Sequence, residues 1–389
     1  MNKLVLLFWV GIFSFASCRK EEMELPMNQG NSSDESVEES TKVIRSVLLD
    51  RVPTKSDYLL NEVLSLEGLS IKVLYSDGTE SKMTGESLPL EWLKGFSSEK
   101  PFKGKEVIIQ PLDASAEVKV SFKVDILPLR VEENVVVEVL ESDFNTLLVP
   151  EGIKSIQDEA FGNNISLEEI VFPSTLESIG TYSFYASNLR KVDFSKSVLN
   201  ELPTGTFESC KSLEQVVLPK TLKKIGGNVF YGTAVLKEIE IPDGVEEIGT
   251  AAFSNSGIVR VKLPNSIRTI RRSFYKCNEL KEVITYGMNY NGKDLERSIY
   301  GESFQHCPNL EMLQIPGGVN RIGVSVLGAC KVTVLEIPAN VEHIEFNAFA
   351  NASSIEKVLL LGDKKKIIEE NAFPSSVMND VVRQNEGLQ

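Results

Sequence analysis

Leu167-Glu168-Glu169-Ile170-Val171-Phe172-Pro173, followed by Leu176, Ile179-Gly180 and Phe184, is a pattern that recurs along the chain. The same letters return at Leu213, Val216, Leu218-Pro219, Leu222, Ile225-Gly226 and Phe230. They return again at Leu236, Ile239, Ile241-Pro242, Val245, Ile248-Gly249 and Phe253. Turns begin at Phe144, Leu167, Leu189, Leu213, Leu236, Ile258, Leu280, Leu310, Val332 and Ile355. Successive starts are 22 to 24 residues apart, with one gap of 30 between Leu280 and Leu310. A fixed period of this size specifies a solenoid, in which each turn buries its apolar face only against its neighbours.

Each recurring letter has a physical job. In an extended segment alternate side chains face opposite ways, so Leu167, Ile170 and Phe172 are expected inside, with Glu168, Glu169 and Val171 outside. Pro173 ends the strand because it has no N–H for a ladder. Leu176 and Ile179 cover a second side of the core. Phe184 closes the turn, in a column with Phe161, Phe207, Phe230, Phe253, Phe274, Phe304, Phe349 and Phe373, with Leu327 replacing Phe once. The ten turns resemble the BspA-type leucine-rich repeat, L-x-x-I-x-L/I-P-x-x-V-x-x-I-G-x-x-A-F-x-x-C. The resemblance implies a leucine-rich-repeat solenoid of the α/β horseshoe class with few regular helices, and a non-catalytic binding scaffold.

The chain outside the repeats divides by composition. Lys3 and the apolar run Leu4 to Ala16 form a leader. Thirteen residues at about 1.5 Å each fall short of the roughly 30 Å of a hydrocarbon core, so residues 1–17 are expected to be a signal peptide. Phe15-Ala16-Ser17-Cys18 resembles a bacterial lipobox, which implies diacylation of Cys18 and attachment to a membrane. Arg19-Lys20-Glu21-Glu22 resembles the surface-export signal of Bacteroidetes lipoproteins. The localisation implied is the outer membrane, facing the cell surface; a charged linker is the competing reading of those four residues. Residues 19–41 hold seven Asp or Glu against two Lys or Arg. Such a segment buries too little apolar surface to offset its ordering entropy, so residues 18–42 are expected to be a flexible tether.

Residues 43–128 change character. Val43 to Leu49, Ser70 to Tyr75 and the alternating run Ala116 to Val124 have the β-branched content of strands, and Ser76-Asp77-Gly78-Thr79 is a turn signal. Short strands with turns over this length predict a small all-β sandwich. Tyr58, Asn61-Glu62, Leu64, Leu66, Gly68-Leu69, Val73 and Tyr75-Ser76-Asp77-Gly78 resemble the bacterial immunoglobulin-like modules of surface proteins. In that family the tyrosine and the turn lie on neighbouring strands of a spacer domain. Residues 129–143 are expected to supply a linker and a capping strand, Val135–Val139, ahead of repeats spanning 144–376. The polar residues 377–389 are expected to cap the far end only weakly. The fold class is thus two-domain and strand-rich, an immunoglobulin-like sandwich followed by the solenoid.

Chemistry is sparse. The formal charge of −14 argues against nucleic acid, whose phosphates require clustered Lys and Arg. Neither of the two histidines has a metal-motif neighbour, so His306 and His343 are read as solvated corner residues. No P-loop, dinucleotide fingerprint or nucleophile elbow is present, and neither a cofactor nor a catalytic residue is expected. Paired acids such as Glu168-Glu169 and Glu246-Glu247 fall at exposed repeat positions. Cys210, Cys277 and Cys307 each follow a repeat Phe by three residues, and Cys330 follows Leu327 in the same way, which points to one structural job as a small buried hydrophobe. A disulfide or metal stack among Cys277, Cys307 and Cys330 is the sharper alternative.

The period fails once. The turn from Leu280 is 30 residues long, and the excess lies between Tyr286 and Tyr300, with Tyr286 in the usual proline position. Insertions in a solenoid must loop outside the core, and such loops often carry recognition. Tyr286, Tyr290 and Tyr300 are therefore the candidate ligand-binding residues. The expected partner is a host or bacterial surface protein or glycan, bound in the manner of an adhesin. A glycan-capturing component of an uptake system and a surface hydrolase are the alternatives.

Overall fold

The computed structural model describes residues 42–388 other than 113, 116 and 287–296. The leader, Cys18, the acidic segment up to residue 41 and Tyr290 lie outside the described residues.

Residues 44–126 form two sheets. β1 (Ile44–Arg51), β3 (Ser70–Tyr75) and β4 (Glu80–Thr84) pair antiparallel in the order β1-β3-β4. The second sheet has the order β2-β7-β6-β5, from β2 (Asp57–Tyr58), β5 (Leu93–Lys94), β6 (Phe102–Ile109) and β7 (Val120–Ile126), with β2 parallel to β7. Val47, Ile71 and Val73 from the first sheet share one apolar cluster with Tyr58, Val107, Ile109, Phe122 and Val124 from the second. Tyr58 is fully buried, and its hydroxyl donates to the carbonyl of Ser65 at 3.1 Å while accepting the Ser65 N–H at 3.2 Å. The turn signal is borne out: Gly78 N–H bonds the Tyr75 carbonyl at 3.0 Å and joins β3 to β4. Two details differ from the sequence reading. Tyr58 and the turn sit in different sheets, because β2 pairs with β7 rather than β3. The alternating run enters a strand only at Val120.

A second apolar cluster begins at Leu127 and runs without interruption to Val381. β8 (Leu129–Glu132) and β9 (Val135–Val139) form a hairpin, and β9 lies parallel to Ser155–Ile156, the first short strand of the solenoid's second side. On the first side, strands such as Glu169–Val171, Lys191–Asp193 and Gln215–Val217 pair in parallel with each residue opposite its counterpart one turn on. Ile170, Val192 and Val216 therefore stack inward, as the alternation requires. On the second side eight short strands, from Glu201–Leu202 to Ile367–Ile368, make one continuous parallel sheet.

The α/β expectation needs one correction, because the described residues of the repeat turns contain no helix before the C-terminal one. The third side is a corner in which the residue two before the core Phe has positive φ, and in the turns up to Phe304 so does the residue two after it. Glu159, Tyr182, Asn228, Ala251 and Arg272 occupy the first position, and Asn163, Ala186, Ser209 and Asn255 the second, with φ between 50° and 64°. Two reversals within five residues leave no right-handed run long enough for a helical turn. The corners instead bond to one another across turns: the N–H groups of Tyr182, Phe184 and Ala186 donate to the carbonyls of Thr204, Thr206 and Glu208. This third ladder satisfies backbone groups that burial would otherwise leave unpaired.

The Phe column is a stack of rings inside the corner. Phe184, Phe207, Phe230, Phe253, Phe274 and Phe304 follow one another at centroid distances of 4.9 to 5.6 Å, with interplanar angles of 4° to 18°. Those rings are fully buried, and Leu327 takes the next place with equal burial. The far end is closed more fully than composition suggests. α1 (Ser375–Glu386) buries Val377 and Val381 against the last turn. Gln384 donates to the Val358 carbonyl at 3.0 Å, and Asn385 exchanges hydrogen bonds of 2.8 and 2.9 Å with the backbone of Lys366. A polar-looking tail thus covers an edge that would otherwise be open to pairing, because its two valines recur at i, i+4 and share one helix face.

Candidate binding face

The outward positions of the first-side strands are locked in register, so side chains one turn apart are neighbours. Acids and bases alternate along these rows. Arg190 bridges Glu214 at 2.8 Å and Glu168 at 3.7 Å; Lys191 meets Glu169 at 2.8 Å; Arg260 meets Glu282 at 2.6 Å and Glu238 at 3.9 Å. The Arg260 guanidinium beside Glu282 holds that carboxyl below its ordinary range. On the second side Glu201 meets Lys224 at 3.1 Å, and Glu246 pairs with Arg268. Of the paired acids, Glu168, Glu169 and Glu246 therefore belong to inter-turn ion pairs. Exposed pairs of this kind contribute little each, but they fix the orientation of long side chains.

A depression of about 990 Å³ opens on this face across the turns from Leu189 to Leu280. The side chains of Lys220, Lys237, Glu240, Asp243 and Lys262 line it, and none of these side chains makes a hydrogen bond or ion pair among the described residues. Tyr286 forms its far wall. It is the last residue of the strand Glu282–Tyr286, opposite Pro264, and its hydroxyl donates to the Ile241 carbonyl two turns back. Burial raises the phenol above its usual pKa, and the nearby carboxylates of Glu240 and Asp243 act the same way. With its hydroxyl engaged, Tyr286 has the face of its ring to offer a ligand.

Past Tyr286 the turns on either side of the inserted one close on each other. Gly317 N–H donates to Asn265 Oδ1 at 2.9 Å, joining the turn from Leu310 to the turn from Ile258. A Cβ at Gly318 would stand 2.2 Å from the Ile267 carbonyl oxygen, so only glycine fits between those backbones. The Gly317-Gly318 pair was the sequence signal for this closure. Beyond it lies a second depression of about 720 Å³, lined by Met312, Gln314, Val334 and Glu336 among others.

The structure does not bring the candidate tyrosines together. Tyr286 is on the first side, whereas Tyr300 ends the strand Ser298–Tyr300 on the second, with Arg271 over its ring at 5.1 Å. Tyr290 lies outside the described residues. His306 is an exposed corner residue with positive φ, its ring edge-on to Tyr275 at 5.4 Å. His343 differs from its reading as a solvated corner. It lies in a second-side strand, half-buried, with Nε2 2.6 Å from Glu369 Oε1. The thiols of Cys210, Cys277 and Cys307 donate to the carbonyls of Phe184, Phe253 and Phe274 one turn back, at 2.9 to 3.1 Å. All four described cysteines are free. Burial pushes the Cys210 thiol up to about 11 and that of Cys277 to about 12, with Cys307 raised further.

This geometry is that of a leucine-rich-repeat protein, and comparison with known sequences agrees. The model of the BspA type leucine rich repeat region matches residues 140–234, 200–295 and 296–386, together more than half of the chain. The chain belongs to the BspA-type leucine-rich-repeat family, whose members are generally non-catalytic and generally mediate protein binding. No curated protein matches the sequence. Among solved structures, it is similar to a leucine-rich repeat protein from Bacteroides ovatus, with 19% identity over 68% of this chain and 83% of that one and a TM-score of 0.36. It is also similar to the T. pallidum leucine rich repeat protein, with 17% identity over 64% and 87% and a TM-score of 0.31. The pneumococcal vaccine antigen PcpA is matched with 16% identity over 72% and 85% and a TM-score of 0.34.

Proposed function

We propose that this chain is a non-catalytic, surface-anchored binding protein whose first-side face docks a protein partner. The observation that carries the reading is the depression between Lys191 and Tyr286. Most charges on that face are tied up between turns, yet five around the depression have no partner. Unpaired charges of both signs, held on rigid strands beside an aromatic ring, suit a protein surface of mixed charge better than a polyanion. Acylation of Cys18 would anchor the chain at the outer membrane, facing outward, with the acidic tether and residues 43–128 as an immunoglobulin-like spacer. The lipobox and the charged residues after it support that arrangement.

The test has two parts. Residues 43–389 are immobilised and screened against host-matrix and bacterial surface proteins. Lys262→Glu and Tyr286→Ala are expected to weaken any complex at least tenfold, and unchanged affinity in both removes this face as the site. For the anchor, Cys18→Ser is expected to abolish metabolic labelling with palmitate, and protease added to intact cells is expected to shed the solenoid. Labelling that survives the substitution, or a solenoid that resists protease until the cells are opened, sinks the surface-lipoprotein arrangement.

A further inference from the structure

The third side of the solenoid carries side chains that the first-side face does not use. The residue after each core Phe is tied into the inter-turn ladder. N–H groups of Ala186, Ser209, Gly232, Asn255 and Lys276 donate to the carbonyls of Glu208, Tyr231, Ser254, Tyr275 and Gln305, at 2.8 to 3.1 Å. With Tyr185, whose carbonyl accepts from Asn163 at 2.7 Å, these carbonyl-bearing residues form one column with one residue per turn. Its order is Tyr185, Glu208, Tyr231, Ser254, Tyr275, Gln305, so tyrosine occupies alternate turns.

The rings in this column face outward. Each follows a Phe that points into the core, Tyr185 is 37% exposed, and Tyr231 and Tyr275 are half-buried. None of the three phenol hydroxyls makes a hydrogen bond among the described residues. Two of the rings are held by neighbours. Tyr182 meets Tyr185 edge-on at 6.1 Å and itself lies over Gly205, where a Cβ would come within 2.2 Å of its ring. Arg272 and Lys276 lie over the Tyr275 ring at 4.3 and 5.3 Å, so that ring is engaged by two cations, and Tyr185 and Tyr231 are the freer faces. Between the first two tyrosines, Glu208 Oε2 is buried and has no hydrogen-bond partner. Buried acceptors are rarely left so, and Glu208 must swing outward for this oxygen to meet a ligand hydroxyl.

We propose that this column binds an extended, β-1,4-linked glycan chain. At about 4.8 Å per turn, successive tyrosines stand about 10 Å apart. A β-1,4-linked pyranose chain turns the same ring face outward at every second unit, a length close to that spacing. An extended peptide repeats its facing side chains about every 6.8 Å, out of step with the column. Tyrosine supplies a flat apolar face for the C–H face of a sugar together with a polar tip for its hydroxyls. Glu208 and Gln305 stand in intervening turns, where the alternate sugar units present hydroxyls, whereas Ser254 is buried with its hydroxyl on the Arg272 carbonyl. The negative charge of Glu208 disfavours a phosphate backbone. This site lies on a different side of the solenoid from the protein-docking face and goes beyond that reading.

The test uses the chain from Val43 to Gln389 with cellohexaose, xylohexaose and chitohexaose, and the corresponding disaccharides, in titration calorimetry. At least one hexasaccharide is expected to bind, at least tenfold more tightly than its disaccharide, because it spans more than one tyrosine. Tyr231→Ala is expected to weaken binding about tenfold or more, whereas Tyr231→Phe keeps the ring and most of the affinity. Melting curves establish that the variants are folded; should Tyr231→Ala not fold, Tyr275→Ala and Glu208→Gln are expected to weaken binding instead. Absence of binding by all three hexasaccharides overturns the proposal. So does affinity that is unchanged in the folded variants. A protein ligand lost in Tyr231→Ala, with no sugar bound, would reassign the column to protein recognition.

Discussion

Replacing Gly318 by Ala places a methyl group where the turn from Leu310 meets the turn from Ile258. The new Cβ would stand 2.2 Å from the Ile267 carbonyl oxygen and 2.8 Å from that of Asn265. Both are backbone atoms, so neither can rotate away. Restoring an ordinary C···O separation of about 3.3 Å requires the two turns to part by roughly 1 Å. That movement also stretches the bond from Gly317 N–H to Asn265 Oδ1, now 2.9 Å. Overpacking of this kind costs about 1–3 kcal/mol and a lost hydrogen bond about 1 kcal/mol, so a loss of about 2–4 kcal/mol is expected. Gly301→Ala is the control. Its Cβ would meet nothing closer than 3.4 Å, and it should change stability by less than about 0.5 kcal/mol. Urea unfolding followed by circular dichroism compares the two. Hydrogen exchange then localises the effect, with protection expected to fall at residues 265–267 and 317–319. If Gly318→Ala matches Gly301→Ala within about 0.5 kcal/mol, the turns do not abut and the account of the inserted turn is wrong.

Lys366 is 5% exposed and its amine donates to the carbonyls of Pro338, Ala339 and Val341. Lys366→Met leaves those carbonyls without their donor, and a loss of about 1–3 kcal/mol with faster exchange in α1 is expected, read by urea unfolding. Burial lowers the Lys366 pKa, so the unfolded chain binds the proton more tightly. This group's contribution therefore becomes more favourable as pH rises from the depressed folded pKa toward 10.5, and Lys366→Met should remove that rise. The cysteines act in the opposite sense. Raised thiol pKa values give stability that is fully present below about 9 and lost as pH climbs toward the folded values of about 11 and 12. At pH 8 a disulfide reagent should label half-exposed Cys330 first and spare Cys210, Cys277 and Cys307 until urea is added; equal rates for all four would contradict their burial. Val381→Asp, at a position 1% exposed, should detach α1 and expose the strand Lys357–Leu360, giving dimers or larger species in light scattering.

The solenoid could be read from the sequence because its core positions repeat, and repetition survives every local ambiguity. Alternation places Ile170 and Phe172 inward and recurrence across turns places Leu167 with them, and all three are buried. The third side was harder to read. Its left-handed positions are Gly or Asn in turns such as Gly205, Asn228 and Asn255, but Glu159, Tyr182, Ala251 and Arg272 obscure the signal. Its tyrosine column was missed for a related reason. Tyr185, Tyr231 and Tyr275 recur every second turn, so a comparison of adjacent turns sets Tyr against Glu208 or Ser254 and finds no pattern. The C-terminal helix was hidden by composition, since two valines among polar residues suffice once a sheet edge lies beneath them. Tyr286 was found as an irregularity, but its hydroxyl bond to Ile241 spans two turns and no spacing announces it.

The left-handed corners have a consequence for how this chain can change. A side chain other than Gly or Asn at positive φ is strained, by roughly 1–2 kcal/mol for an ordinary residue. Here Glu159, Tyr182, Ala251 and Arg272 all stand in that conformation. The ladder between corners and the buried Phe stack hold them there, so the strain is tolerated rather than relieved. Each such position is stability held in reserve. A lineage could recover it by single substitutions to Asn or Gly, leaving the core untouched, and then accept a destabilising change on an exposed face in exchange for a new specificity.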